Sequence, residues 1–141
     1  MSHSRIIDVT CPECNTAQKM KLWSSVNVTL EPHLKEEVTQ QRLNVFFCTH
    51  CDYSGSVDAS LLYNDMDGGY CIQYVAREDM KTPEFYSNLR RDGTVVLDSI
   101  SAKALGATGS NQFTRPHHVF SMKEIILYVA FRDLCAVWSR E

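Results

Sequence analysis

Cys11-Pro12-Glu13-Cys14 and Cys48-Thr49-His50-Cys51 are the two stretches that decide how this chain folds. Each CxxC pair presents two sulfurs from one tight turn, and two such pairs make a complete tetrahedral set for a metal that prefers thiolate. Zinc, a dithiol redox pair, an iron–sulfur cluster and plain buried thiols all compete for cysteines spaced in this way. Redox pairs usually place the first sulfur at a helix N-terminus, and neither pair here leads into a helix-like pattern. The spacing therefore favours one structural Zn²⁺ per chain, held by Cys11, Cys14, Cys48 and Cys51. Four thiolates close such a site, leaving no position for water or substrate, so metal catalysis is not expected. The long gap from Cys14 to Cys48 is no obstacle. Doubling a loop adds only about 0.6 kcal/mol of closure entropy, whereas structural zinc contributes an apparent ~10–16 kcal/mol.

Outward from the first pair, Ile6, Ile7 and Val9 suggest a strand over Arg5 to Thr10 that ends at the metal turn. The residues after each second cysteine, Asn15 and Asp52, tolerate the left-handed backbone that such turns often need. Alternation from Ala17 to Leu30 reads as a strand broken by a bulge near Ser24-Ser25. Glu31-Pro32 then opens a short helix to about Gln41, with Leu34 and Val38 four apart on one face. Leu43 to Phe47 repeats the arrangement of a strand entering a CxxC turn. After it, Asp67-Gly68-Gly69 joins the runs Ser56 to Met66 and Tyr70 to Val75 as a β-hairpin.

Beyond Arg77 the pattern turns helical. Thr82-Pro83-Glu84 marks a helix start that Arg91-Asp92-Gly93 closes, and Thr94 to Leu97 suits a brief strand. Leu105 to Gln112 has loop composition and is the candidate mobile segment. Ser121-Met-Lys-Glu124 is a capping box ahead of a helix over residues 122–138 whose apolar positions exceed one stripe. That surplus implies either deep burial against the sheet or a second face for a partner, a second copy included.

With 141 residues, 44% hydrophobic and 22% charged, the chain suits one domain over residues 1–141. Residues 5–77 form its β core and 78–141 a helical part packed on it. A net charge of −3, with cations scattered, disfavours a general nucleic-acid binder. Lys19, Lys21, Lys35 and Arg42 are the cations from which a local basic patch would have to come. No apolar run approaches the roughly 20 residues of a membrane span, and no signal core follows Met1, so the expected home is the cytoplasm. Cys71 and Cys135 stand in apolar contexts and read as buried thiols outside the site.

Other candidates have simpler readings. His50 lies inside the second turn but is redundant beside four cysteines. His117 and His118 are adjacent, so in a strand they point to opposite faces and do not grip one ion. Asp65 and Asp67 offer a carboxylate pair, yet turn chemistry accounts for Asp67. Trp23, Phe46, Phe47, Tyr53, Tyr63 and Tyr74 are able to stack bases, but without a basic groove they read as core. No catalytic or cofactor-binding residue emerges.

Cys11-Pro-Glu-Cys14, Ser25-Val-Asn-Val-Thr-Leu-Glu-Pro32, Leu43-Asn-Val-Phe46, Cys48-Thr-His-Cys51 and Leu61-Leu-Tyr-Asn-Asp-Met66 together resemble the CpXC domain, a prokaryotic family without an assigned activity. The resemblance spans residues 5–77, because five separated segments occur in the family's order. It implies metal ligation by Cys11, Cys14, Cys48 and Cys51 and supplies no catalytic residue. The fold class expected is α+β: a zinc-ribbon-like antiparallel β core with an inserted short helix and a C-terminal helical part. The function expected is a zinc-stabilised, non-enzymatic module that binds protein. A nucleic-acid-binding ribbon and an enzyme with a pocket between the β core and the C-terminal part are the alternatives.

Overall fold

A computed structural model of the chain describes residues 2–96 and 115–139. The segment Leu105 to Gln112 lies outside the described residues. Strand β1 (His3–Thr10) turns through the first CxxC pair and returns as β2 (Ala17–Asn27). Their antiparallel register pairs Ser4 with Trp23 and His3 with Ser25, so Ser24 is the extra residue of a bulge. The break expected at Ser24-Ser25 is therefore real. On the other edge of β2, Ser25, Val26 and Asn27 pair in parallel with Leu62, Tyr63 and Asn64 of β5 (Leu61–Asp65), so Ser25 joins both neighbours.

The strand stops at Asn27 rather than Leu30 because Asn27 turns the chain. Its Oδ1 accepts from the Leu30 N–H at 3.1 Å and its carbonyl from the Glu31 N–H at 2.9 Å. Helix α1 (His33–Thr39) follows, with Leu34 and Val38 buried on one face. Gln41 and Asn44 then take left-handed backbone, at φ 56° and 57°, which delays β3 to Val45–Phe47. The second CxxC pair joins β3 to β4 (Ser54–Ser56), and these two strands form a separate ribbon.

The expected hairpin is β5 with β6 (Tyr70–Tyr74). Its turn needs both glycines. Gly69 sits at φ 65°, and a Cβ on Gly68 would lie 2.7 Å from the Tyr70 ring and 3.0 Å from Asp65 Cγ. Beyond it a 3₁₀ turn (Asp79–Lys81) and α2 (Pro83–Ser87) lead to a single bridge between Leu89 and Val95, where a strand over Thr94 to Leu97 was expected. Leu97 is outside the described residues. Strand β7 (His117–Val119) pairs with β6, and α3 (Met122–Trp138) follows.

The α+β class holds, but the main sheet is mixed rather than antiparallel. Its order is β1-β2-β5-β6-β7, with β2·β5 and β6·β7 parallel. Period-two alternation reports which face a residue occupies, not which strand lies beside it, so parallel joints leave no mark in the pattern. The central strands are buried on both faces. Val26, Leu34, Val38, Leu61, Tyr63, Ile72, Ile125 and Val129 form one core joining sheet, α1 and the first half of α3. At ~1.5–3 kcal/mol for each large apolar side chain, this cluster is the main hydrophobic contribution to the fold.

The ribbon and the sheet share no backbone ladder, and Asn44 substitutes for one. Its Oδ1 accepts from the Trp23 N–H at 2.8 Å and its Nδ2 donates to the Trp23 carbonyl at 2.9 Å, beside the bulge. Asn44 is 6% exposed and Trp23 half-buried, so losing the amide leaves two partly buried backbone groups of Trp23 without this partner. Asn44→Ala is expected to cost ~2–4 kcal/mol in urea unfolding, including ~1 kcal/mol for placing an alanine Cβ in left-handed backbone that asparagine tolerates better. Asn44→Gly should cost less than Asn44→Ala, because it removes that strain, and equal stabilities for all three chains would refute the docking role.

Candidate metal centre

Each CxxC pair occupies the tip of a β-hairpin, and the two tips close in the same way. The Cys11 N–H donates to the Thr16 carbonyl at 2.9 Å, and the Cys48 N–H donates to the Tyr53 carbonyl at 2.9 Å. In the first tip Asn15 takes the expected left-handed backbone (φ 56°) and its N–H donates to the Cys11 carbonyl at 3.0 Å. Asp52 does not: positive φ is confined to Asn15, Gln41, Asn44, Gly69 and Gly93 among the described residues. The second turn thus closes through the Cys48–Tyr53 bond without a left-handed residue after its last cysteine.

The tips bring all four sulfurs within 4.8 Å of one another. Cys11 Sγ lies 3.7 Å from Cys51 Sγ, and Cys14 Sγ 3.6 Å from Cys48 Sγ. A tetrahedral ion with metal–sulfur bonds of about 2.3 Å has sulfur edges of about 3.8 Å, so the cluster has the size of a four-thiolate site. The closest pairs join cysteines of different hairpins, which makes an ion there a clasp between sheet and ribbon. Cys11 is fully buried and the other three are half-buried.

The surroundings favour thiolate unevenly. The Cys14 thiol donates to Thr16 Oγ1 at 3.3 Å; once ionised, its sulfur accepts from that hydroxyl instead. This contact and the Thr16 backbone hold Cys14 down to about 6. Cys51 is pushed up to about 12: the Tyr53 backbone N–H favours its thiolate, but burial and the neighbouring Cys48, Cys11 and Cys14 sulfurs outweigh it. The His50 N–H donates to Cys48 Sγ at 3.4 Å, while the cluster contains only the four cysteines.

A fifth residue matters here that spacing does not reveal. Gln18, at the start of β2, crosses to the second tip: its Nε2 donates to the Phe47 carbonyl at 2.7 Å, and its Oε1 accepts from the Thr49 N–H at 2.9 Å. One amide thus fixes the backbone on both sides of Cys48. A lone glutamine in a polar stretch carries no sequence signal, and only the folded register brings it to Thr49.

The remaining candidates fall elsewhere. His117 and His118 do point apart: His117 stacks on Tyr128 with centroids 4.1 Å apart, and His118 Nε2 lies 3.0 Å from the Gly93 carbonyl. Asp65 accepts from the Gly68 N–H at 2.7 Å and faces Lys35 at 3.9 Å, a turn and packing role. Of the aromatic set, Phe46, Tyr63 and Tyr74 are buried, whereas Phe47 is exposed. Cys71 is buried, and burial pushes its thiol up to about 12. Cys135, expected to be buried, is exposed, because α3 leaves the body before reaching it.

A family model described as "CpXC protein" matches residues 9–137, which takes in both CxxC pairs and most of α3. No curated protein and no solved structure matches the chain. The family pattern thus runs past residue 77 into the C-terminal part.

Two outcomes follow from this geometry. Gln18→Ala should lower metal affinity by ~10–100-fold in a chelator competition, the usual cost of losing an outer support, while sparing the four ligands. Affinity should also rise with pH. A metal must displace the Cys51 proton at every pH below about 12, and below about 6 it must displace that of Cys14 as well. A plot of log affinity against pH should therefore steepen by about one proton below pH ~6, and a flat plot contradicts thiolate ligation.

Proposed function

The chain belongs to the CpXC family, and on that premise we propose that it is a zinc-stabilised, non-enzymatic binding module that acts through contact with another protein. The observation that carries this reading is the closed set of four sulfurs at the two hairpin tips, all within 4.8 Å. Zinc suits it best, because Zn²⁺ favours four thiolates in tetrahedral geometry and has no redox chemistry. An apparent ~10–16 kcal/mol from structural zinc exceeds or matches a typical domain stability of ~5–15 kcal/mol, so the ion's role is folding. Reduced thiols of this kind belong to a cytoplasmic, single-domain protein. No helix among the described residues is long and apolar enough to cross a membrane.

What supports a non-enzymatic role is the state of a cavity between the β core and the C-terminal part in which serine, histidine and aspartate meet. It holds about 240 Å³ and is lined by Ser60, Gln73, Asp79, Phe85 and His118 among others. Serine, histidine and aspartate meet there, but their bonds are not those of a nucleophile and its base. Ser60 Oγ donates to Asp79 and accepts from the Ala76 N–H at 2.9 Å. His118 Nε2 is engaged with the Gly93 carbonyl at 3.0 Å.

Protein is favoured over nucleic acid by the fate of the four cations. Lys19 pairs with Asp8 at 3.0 Å, Lys35 with Asp133 at 2.6 Å and Arg42 with Glu37 at 2.8 Å. Lys21 lies over the Trp23 ring at 4.0 Å. Three of the four are thus partly neutralised, and an anionic backbone meets no open row of charge.

Protein purified without added metal is expected to carry about one zinc per chain by elemental analysis, lost in Cys11→Ser or Cys48→Ser. Those variants should also lose amide protection in the ribbon and in the β1–β2 tip. Iron in place of zinc, or a metal-free chain of undiminished stability, rules out this reading. Salt-dependent binding of single-stranded DNA at low ionic strength would instead favour the nucleic-acid alternative.

A further inference from the structure

Helix α3 changes its surroundings halfway along. Ile125 and Val129 are fully buried against the sheet, yet Asp133 to Ser139 are all exposed, so the last turns extend past the body. The exposed residues are not polar. Leu127, Phe131, Leu134 and Trp138, with Val137 and the preceding Phe120, are between 58% and 70% exposed. Six large side chains exposed to that degree present on the order of 700 Å² of apolar surface. The largest apolar patch of an ordinary monomer is about 300–600 Å², and a stable interface takes about 800 Å² from each partner. The patch has the size of half an interface.

Its spacing says what kind. Leu127, Phe131, Leu134 and Trp138 follow one another by four, three and four residues, the seam of a helix pair. Ile125, Val129 and Arg132 lie on the other side of the helix, facing the body, so the seam points directly outward. Between Leu127 and Trp138 the charges are turned away: Arg132 donates to the Gly68 carbonyl at 2.9 Å, and Asp133 accepts from Lys35 at 2.6 Å, while exposed Lys123 and Glu124 stand only at the first turn. A stripe with one lysine and one glutamate at its first turn and no charge beyond offers little to steer a charged partner or to bind an anionic membrane, but it complements its own copy.

The geometry points to a two-fold homodimer in which α3 packs antiparallel against α3 of a second copy. A four-three-four spacing is the same read in either direction, so a two-fold axis between Phe131 and Leu134 sets Leu127 against the partner's Trp138 and Phe131 against the partner's Leu134. At the open end of each seam a shallow groove of about 520 Å³, lined by His117, Phe120, Glu124, Leu127, Tyr128 and Phe131, receives the partner's Trp138. Glu124 brings to it the carboxylate acceptor that an indole N–H requires. A parallel pair would set the two Glu124 side chains against each other in the seam, whereas the antiparallel pair holds them at opposite ends. This inference rests on the binding-module reading only in taking the contact to be between proteins.

The test is sedimentation of the full, metal-loaded chain at increasing micromolar concentration. The wild-type chain is expected to be a dimer. Phe131→Lys and Leu134→Glu should each weaken association by about thirtyfold or more, with metal content and circular dichroism unchanged. The double variant Phe131→Lys/Leu134→Glu should associate again, because the antiparallel register sets each lysine opposite a glutamate. In a parallel pair lysine would meet lysine, so a double variant that stays monomeric overturns the proposal. A monomeric wild type overturns it too, as does binding of the monomer to anionic vesicles through these residues. A monomeric wild type that carries zinc and binds a different protein leaves the proposed function standing and removes only the dimer.

Discussion

Four sulfurs must meet in a space under 5 Å across although they come from two hairpins separated by α1, and most of the β architecture depends on that meeting. The β3–β4 ribbon pairs with no strand of the main sheet, so its position rests on side chains alone. Two amides hold it, Gln18 beside the cysteines and Asn44 beside the Ser24 bulge. At about 0.5–1.5 kcal/mol net for each hydrogen bond, the two amides together contribute a few kcal/mol, well below the ~10–16 kcal/mol of a structural ion. The amides are thus sized to set the orientation of the ribbon, and an ion held by the four thiolates would supply most of the free energy. This division explains why the bulge sits where it does. It lies one pair before the end of the β1–β2 ladder, beside the Trp23 backbone on which Asn44 docks.

A second set of contacts fixes the opposite end of the sheet without any metal. The β5–β6 turn, α1 and α3 meet where Lys35 lies between Asp65 and Asp133, at 3.9 Å and 2.6 Å. Arg132 closes the same corner by donating to Gly68 and covering the Tyr70 ring at 4.6 Å. These ion pairs are partly exposed and each is worth no more than about 1 kcal/mol. The buried rings beneath them matter more. Tyr63 and Tyr70 stack with centroids 6.0 Å apart, and burial pushes both phenols upward, Tyr70 to about 12, so both stay neutral. The polar corner sets the angle at which α3 crosses the sheet, and the rings supply the apolar area.

What could be read from the chain in advance was local. The CxxC pairs, the Asp67-Gly68-Gly69 turn and the Ser121 cap each declare themselves within a few residues. The cap differs in one detail: Ser121 Oγ accepts from the Glu124 N–H at 3.2 Å, while Glu124 reaches the Phe120 N–H at 2.6 Å, one residue before the usual return. The features that escaped are those whose partner lies far along the chain. Gln18 meets Thr49 and Asn44 meets Trp23 only after the hairpins have formed, and nothing in a glutamine or asparagine announces a distant carbonyl. Strand β7 is legible only in part: His117 and His118 read as strand neighbours on opposite faces, but three residues are too few to fix its bounds by alternation.

Helix α3 shows where a face-based reading of a helix fails. Counting apolar positions around the circumference leaves two readings open, deep burial or a second face for a partner, because a stripe and a surplus look alike when all turns are projected onto one circle. The division in this protein runs along the axis. Over the first two turns the apolar residues divide between an inner face, Ile125 and Val129, and an outer one, Leu127; from Asp133 to Ser139 every residue is exposed. Such a helix cannot be stabilised along its whole length by the domain that starts it, since in water an isolated terminal segment frays and most helical stability comes from packing. The last turns are rich in Leu, Val and Trp rather than in the ion pairs that sustain a solvated helix. Their composition sets them apart from a solvated helix end, and that contrast is what the proposed pairing of Leu127 to Trp138 addresses.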